Sequence, residues 1–315
     1  MAADARNLLD KRLILILGKG GVGRSTVAAA IASACAAKDR RTLLFQAAAQ
    51  DRVGALFNQP AIGTSIQPLA KNLFAVNTTP KAALEQYGMM VLRFRSIYKL
   101  VFENRISKHF LRAVPGVEDY SIIGKAWYHT TEMNNGRPQW DTVVFDMPAS
   151  GHSLSMLRIA WTIIQTIPRS PLTKSAKSMV DLLRDDYKTS IMLVTLAEEM
   201  ATREAVDLRE GLKQHLDLDI HHLFINQVYP DYFPQGSATA DILDVLRSPQ
   251  GDADVAAVTT QAELLQKRRM LHDRYIRELQ SSLALSQSRL PFIFSPTLGT
   301  HEVQTLANEI TKQVG

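Results

Sequence analysis

Leu13-Ile14-Leu15-Ile16-Leu17-Gly18-Lys19-Gly20-Gly21-Val22-Gly23-Arg24-Ser25-Thr26 is the stretch that decides the fold. Five apolar residues with no polar interruption read as a strand buried on both faces, as in a parallel sheet. Four of the chain's 16 glycines then fall within six positions, from Gly18 to Gly23. Glycine lets the backbone turn tightly and aim successive N–H groups at an anion, and an Ala-rich helix beginning near Ser25 turns its positive dipole end to the same place. A glycine cluster alone is often just a tight turn. Strand, glycine loop and helix in that order form the context a phosphate-binding loop requires.

Further runs of the same kind lie at 42–46, 73–77, 142–146, 191–196, 222–227 and 291–294, giving seven expected strands with helical patterns between most of them. The expected fold class is α/β, a doubly wound, mostly parallel sheet. Two gaps are too long for one crossover helix, so a single domain over 1–315 with helical insertions at about 80–139 and 229–289 is the expected organisation. The chain shows no internal repeat and no low-complexity tract.

The length of 315 residues is ample for a full core. Basic residues exceed acidic ones by 36 to 31, giving a net charge of +5. Such a surplus suggests nucleic acid or an anionic membrane only if it is spread over a surface. It is not: between 88 and 112 Arg93, Arg95, Lys99, Arg105, Lys108 and Arg112 face the single acid Glu103, leaving 30 against 30 elsewhere. In 89–112, Met90, Val91, Phe94, Ile97, Tyr98, Val101 and Phe102 recur at helical spacing among those cations, the pattern of a basic amphipathic helix. A solvated cationic face is the plain reading, and a surface for a protein client or partner the sharper one.

A single cysteine, Cys35, excludes an intrachain disulfide and a CxxC metal half-site, and a reducing, cytoplasmic setting fits best. No stretch reaches the roughly 20 apolar residues of a membrane span, and the first apolar run is too short for a signal sequence. Adjacent strand residues His221 and His222 would point to opposite faces, so they cannot share one ion within a strand.

Residues 18–26 resemble the deviant Walker A pattern Lys-Gly-Gly-x-Gly-Lys-[Ser/Thr] of the P-loop family that holds ArsA, the guided-entry ATPases for tail-anchored proteins, MinD and ParA. Val143 to Ser153 looks like the switch II segment of the ArsA and guided-entry branch, and Ile225-Asn226-Gln227 like its adenine-reading Asn-Gln pair. The run 291–296, with Gly299 and Glu302 behind it, resembles its last strand and adenine loop. The resemblance implies ATP and Mg²⁺ as cofactors. Gly18, Lys19, Gly20, Gly21, Val22, Gly23, Arg24, Ser25 and Thr26 would hold phosphates, Gly151 would reach the γ-phosphate, and Asn226 and Pro296 would flank adenine. Ser25 and Asp146 would serve the metal, Asp146 through water, and Lys19 would cross a dimer interface to the partner's nucleotide. It also implies a homodimer, or a heterodimer with a related ATPase.

Two departures bear on catalysis. Arg24 stands where the pattern has its P-loop lysine, a planar fork in place of a compact ammonium. After the second strand, Gln46-Ala47-Ala48-Ala49-Gln50-Asp51 offers no acid before Asp51, where the family carries an acidic switch I. The catalytic candidates are thus Lys19, Arg24, Asp51 and Asp146. An ArsA-like or guided-entry-like ATPase handling a client is the leading expectation, with weakened hydrolysis. A nucleotide-binding pseudo-ATPase paired with an active paralogue is the alternative, and a ParA-like positioning protein is disfavoured by the switch II and Asn-Gln matches, as is nucleic-acid binding.

Overall fold

The computed structural model describes residues 5–47, 50–92, 116–167, 170–234, 237–238, 241–242, 245 and 253–315. β1 (Leu13–Gly18) leads through the glycine loop into α1 (Arg24–Ala37). There follow β2 (Thr42–Gln46), a single helical turn α2 (Val53–Leu56), β3 (Gln67–Ala70), β4 (Leu73–Asn77) and α3 (Pro80–Leu92). Then come α4 (Val117–Thr131), the small hairpin β5 (Met133–Asn134) and β6 (Arg137–Pro138), β7 (Thr142–Asp146), α5 (Ser150–Thr166) and α6 (Pro171–Leu183). The remainder is β8 (Thr189–Leu196), α7 (Glu199–Leu216), β9 (His222–Val228), α8 (Ala253–Leu283), β10 (Gln287–Pro291) and α9 (Thr300–Val314).

Eight strands form one sheet in the order β10-β9-β8-β1-β7-β2-β4-β3. Every neighbouring pair is parallel except β3 with β4 at the edge. The alternation of β1 shows how it is held: Leu13, Leu15 and Leu17 enter one core, and Ile14 and Ile16 enter the other. The first core packs under α4 to α8, the second under α1, α9 and a 3-10 turn at Ala5–Asp10. Each fully buried leucine or isoleucine contributes on the order of 1.5–3 kcal/mol, which is why strands sandwiched this way need no polar face.

That alternation also positions the site. On β2, Leu43 and Phe45 face the first core and Leu44 the second; on β7, Val143 and Phe145 face the first and Val144 the second. Gln46 and Asp146, in register as Cα partners, have the parity of Leu44 and Val144. They therefore fall on the α1 side of the sheet, at the strand ends where α1 begins.

Six of the seven expected strands form where the apolar runs lie, with β8 starting two residues early at Thr189. The last differs: pairing runs over 287–291, not 291–294. In this edge strand Ser288 and Leu290 are buried and Arg289 is exposed, a one-sided alternation that a search for continuous apolar runs passes over. Phe292 and Phe294 leave the sheet and pack on Tyr229 instead. Of the stretch 229–289 expected as a second insertion, 253–283 is α8 and 287–289 belongs to β10. β3 and the β5–β6 hairpin were not among the expected strands: both are short, and the hairpin is exposed. Residues 93–112 of the basic window lie outside the described residues, so the expected helix at 89–112 is described only to the end of α3.

Cys35 is buried, its thiol donating to Leu9 O at 3.3 Å, and burial pushes its pKa up to about 12, so it is an inert core group. His221 accepts from Ile191 N at 3.0 Å, while His222 meets Ser288 Oγ at 2.8 Å and is driven by burial down to about 4. The two rings serve different neighbours.

Lys125 of α4 is a costlier core residue. It is 2% exposed, donates to Thr78 Oγ1 at 3.1 Å and stands 5.8 Å from the Phe45 ring centre, and burial pushes its pKa down from 10.5 to about 8. Below pH 8 the ammonium is charged in both folded and unfolded chains and the burial penalty is complete. Between 8 and 10.5 the unfolded chain holds a proton the folded one has lost, so stability rises with pH through that window. Lys125→Met is expected to stabilise the fold by about 1–3 kcal/mol at pH 7, with the gain fading as pH approaches 10.5. Urea unfolding of both proteins at pH 7 and 10 checks this; a methionine variant less stable at pH 7 would refute it.

Candidate functional site

The site forms where the C-terminal ends of β1, β2, β7, β8 and β9 meet the N-terminus of α1. Gly18 closes β1 against β8, so tightly that a Cβ there would lie 2.2 Å from Val194 O. Gly21 (φ 90°) and Gly23 (φ 84°) take left-handed turns, and Gly23 is the N-cap of α1, without a side chain to cap the first N–H groups. Those amides are left to an outside acceptor. A Cβ at Gly21 or Gly151 would meet nothing within 4 Å, and one at Gly20 only Ala149 Cβ at 3.9 Å, so no packed neighbour requires glycine at these three positions. Open space on the loop's outer side fits an anion laid against the backbone.

Beneath the loop is a polar cluster. Ser25, in the first turn of α1, donates its hydroxyl to Asp146 Oδ2 at 2.6 Å, and Gln46 Nε2 reaches the same oxygen at 3.4 Å. Burial raises the pKa of Asp146, against the lowering pull of the Ser25 hydroxyl, the Arg24 charge and the Gln46 amide. The other oxygens, Asp146 Oδ1 and Gln46 Oε1, are buried and find no hydrogen-bond partner among the described residues. Two buried acceptors without donors, one of them a carboxylate oxygen, beside the Ser25 hydroxyl are a hard-oxygen set of the kind that suits a hydrated Mg²⁺. Gln46 is the member of this cluster that had not been singled out as a site residue. Its signal was available, as a polar residue ending an otherwise apolar strand.

Arg24 behaves unlike a phosphate-facing lysine. Its guanidinium donates to both Met147 O and Pro148 O, tying the start of α1 to the segment after β7. Burial lowers its pKa, with Asp146 acting in the opposite sense. Lys19 pairs with Glu204 of α7 at 2.8 Å, and Ser150, the first residue of α5, donates to the other oxygen of Glu204 at 3.1 Å. Glu204 thereby joins the glycine loop to the segment after β7; nothing local in the sequence marks it. Asp51 is occupied in its own loop, accepting from Val53 N at 3.0 Å, Gly54 N at 3.0 Å and Ile62 N at 2.8 Å. Thr26 lies half-buried one residue beyond Ser25, and Val22 is buried.

Asn226 braces the loop from β9. Its amide donates to Val22 O at 2.9 Å. A bulge opposite β10, where pairing passes from Arg289 with Ile225 to Pro291 with Val228, and a left-handed Gln227 (φ 56°) shape the strand end there. Beside it opens a cavity of about 320 Å³ lined by Asn226, Glu198, Arg268, His272, Tyr229 and Phe292 among others. Tyr229 and Phe292 stack with centroids 4.7 Å apart, 16° from parallel, and Arg268 donates to the Tyr229 hydroxyl at 2.7 Å. Pro296 is exposed in the following loop, where Ser295 and Gly299 bind the Glu302 carboxylate that caps α9.

The sequence model of anion-transporting ATPases, the ArsA family, matches residues 11–170, from β1 through the glycine loop and Asp146 to the end of α5. The chain belongs to this family. Among its relatives, ATPase BagA of Mycobacterium tuberculosis is 26% identical over 261 residues, covering 78% of this chain and 72% of BagA. An arsenical pump-driving ATPase of Escherichia coli is 26% identical over 69% of this chain and 39% of its own length. The ATPase GET3 of Kluyveromyces lactis is 21% identical over 72% of this chain and 75% of its own. The ArsA-family relationship agrees with the mostly parallel α/β sheet. No helix among the described residues is long and apolar enough to cross a membrane.

Proposed function

We propose that this ArsA-family chain binds ATP with Mg²⁺ at the glycine loop, as one P-loop domain with helical insertions, and couples nucleotide state to the handling of a client or partner. The observation that carries the reading is the Ser25–Asp146 pair with its two donorless buried oxygens, set under a glycine loop whose outward side is open. Amides of 20–26 would hold the phosphates, and Ser25 and Asp146 the metal, Asp146 through water. Gly151, with open space where a Cβ would be, would lie against the γ-phosphate, and adenine would enter the cavity beside Asn226, with Pro296 in the bordering loop. When bound, the metal neutralises charge building on the phosphates.

The active form proposed is a dimer, of two copies or with a related ATPase. Lys19 would leave Glu204 to reach the partner's nucleotide, so nucleotide must compete with an ion pair inside the chain. The client surface proposed is the basic segment 89–112.

A second reading, a nucleotide-binding partner with little hydrolysis, is favoured by the engagement of Arg24 with two carbonyls and of Asp51 with three amides. Neither group is free to serve a phosphate or an attacking water in this arrangement. Arg24→Lys is expected to raise magnesium-dependent ATP turnover by about tenfold, because the shorter side chain withdraws from the two carbonyls that Arg24 holds through its Nη1 and its ammonium becomes available to phosphate. Phosphate release from purified wild-type and variant chains tests it. Fast turnover by wild type would reject the second reading, and absence of nucleotide binding would reject both.

A further inference from the structure

Gln46 ends a strand whose other residues are all buried, and is itself 1% exposed. Its backbone is fixed, since Gln46 O accepts from Thr78 N at 2.8 Å and Gln46 stands in register with Asp146 on one side and Asn77 on the other. Only the side chain has freedom, and its N–H is directed at Asp146 Oδ2. That orientation is chemically forced, because the reverse would set two acceptors against each other. It leaves the amide oxygen buried without a donor, next to a carboxylate whose second oxygen is in the same condition.

An unsatisfied buried acceptor is expensive, and two belonging to one bonded pair need a common explanation. Among the described residues no donor reaches either oxygen, and the Ser25 hydroxyl proton is already spent on Asp146. A divalent cation with its water shell supplies what both oxygens lack, the positive charge for the carboxylate and a water proton for the amide. In sequence, 47–49 are alanines and carry no polar side chain, and Asp51 is bound to its own loop.

We infer that Gln46 is a positioning residue of the magnesium site, holding Asp146 through its N–H and accepting from a metal-bound water through Oε1. A neutral amide does this without adding charge to the site, and without providing a base. The inference rests on the proposed Mg²⁺–nucleotide binding at the glycine loop.

The test is a titration of Mg²⁺ against full-length wild-type, Gln46→Met and Gln46→Glu chains at fixed fluorescent mant-ATP, reading the Mg²⁺ concentration of half-maximal effect, with thermal unfolding as a check on folding. Methionine, of similar length but without the amide, is expected to raise that concentration by about tenfold. Glutamate adds a charge at the same place and is expected to lower it by about tenfold. A methionine variant with the wild-type Mg²⁺ dependence overturns the role of Gln46 and leaves the parent reading standing. A wild-type chain that binds no mant-ATP at any Mg²⁺ concentration overturns both. Should the methionine variant fail to fold, the glutamate variant decides alone: a tighter Mg²⁺ response supports the role, and an unchanged or weaker one overturns it.

Discussion

Asp146→Asn is expected to cut the magnesium-dependent part of nucleotide affinity by about 100-fold while making the nucleotide-free chain more stable by about 1–3 kcal/mol. The two effects have one cause. Asp146 is almost fully enclosed at the end of β7, between β1 and β2, and burial raises its pKa even though a hydroxyl, an amide and a guanidinium all favour its charge. A carboxylate kept under such conditions costs the fold, and asparagine keeps the shape and the acceptor for Ser25 without the charge. What asparagine lacks is the anion that would draw in Mg²⁺. Urea unfolding without metal reads the gain in stability, and mant-ATP titration with and without Mg²⁺ the loss of affinity. An asparagine variant that retained the Mg²⁺ effect would remove Asp146 from the metal site; one clearly less stable would show that the carboxylate is already compensated by its neighbours.

The site divides according to how far its information travels along the chain. The glycine loop, α1 and the strand before them are a contiguous stretch whose residue types dictate their own geometry, and they form as read. Ser25 and Asp146 stand out in the sequence through the resemblance of their segments, while their direct hydrogen bond follows from the fold, where strand parity sends the Asp146 side chain to the α1 face. Glu204 was not legible, since an acid in the first turns of a helix is ordinary until the sheet order sets α7 beside the glycine loop. Asp51 shows the converse. Its type and position suggested chemistry, while the folded loop uses its carboxylate to hold three backbone amides. The last strand departs from expectation for a reason of periodicity: an edge strand buries one face, so Ser288 and Leu290 carry the strand signal and the more apolar Phe292-Ile293-Phe294 lies beyond it. Arg24 is a departure visible in the sequence, but only the three-dimensional arrangement reveals that its Nη1 serves the Met147 and Pro148 carbonyls.

Gly23→Ala is expected to destabilise the chain by about 3 kcal/mol, against about 1 kcal/mol for Gly21→Ala, although both glycines are left-handed. The backbone cost is shared, since φ is 84° at Gly23 and 90° at Gly21. The surroundings differ. A Cβ at Gly21 enters open space, whereas one at Gly23 would lie 2.4 Å from Asn226 Nδ2. That nitrogen donates to Val22 O, so making room for the methyl means losing the bond that fixes the loop to β9, with a buried amide and a carbonyl left unpaired. The loss extends to function, because the freed Asn226 also lines the cavity beside the loop. Both variants should bind mant-ATP poorly, the Gly21 variant through a methyl on the phosphate side of an otherwise intact loop and the Gly23 variant through a loop no longer held. Urea midpoints separate the two mechanisms, and an Asn226→Ala background completes the cycle: with the amide removed, Gly23→Ala should cost no more than Gly21→Ala. If the full penalty persisted in that background, backbone strain rather than the Asn226 contact would account for it.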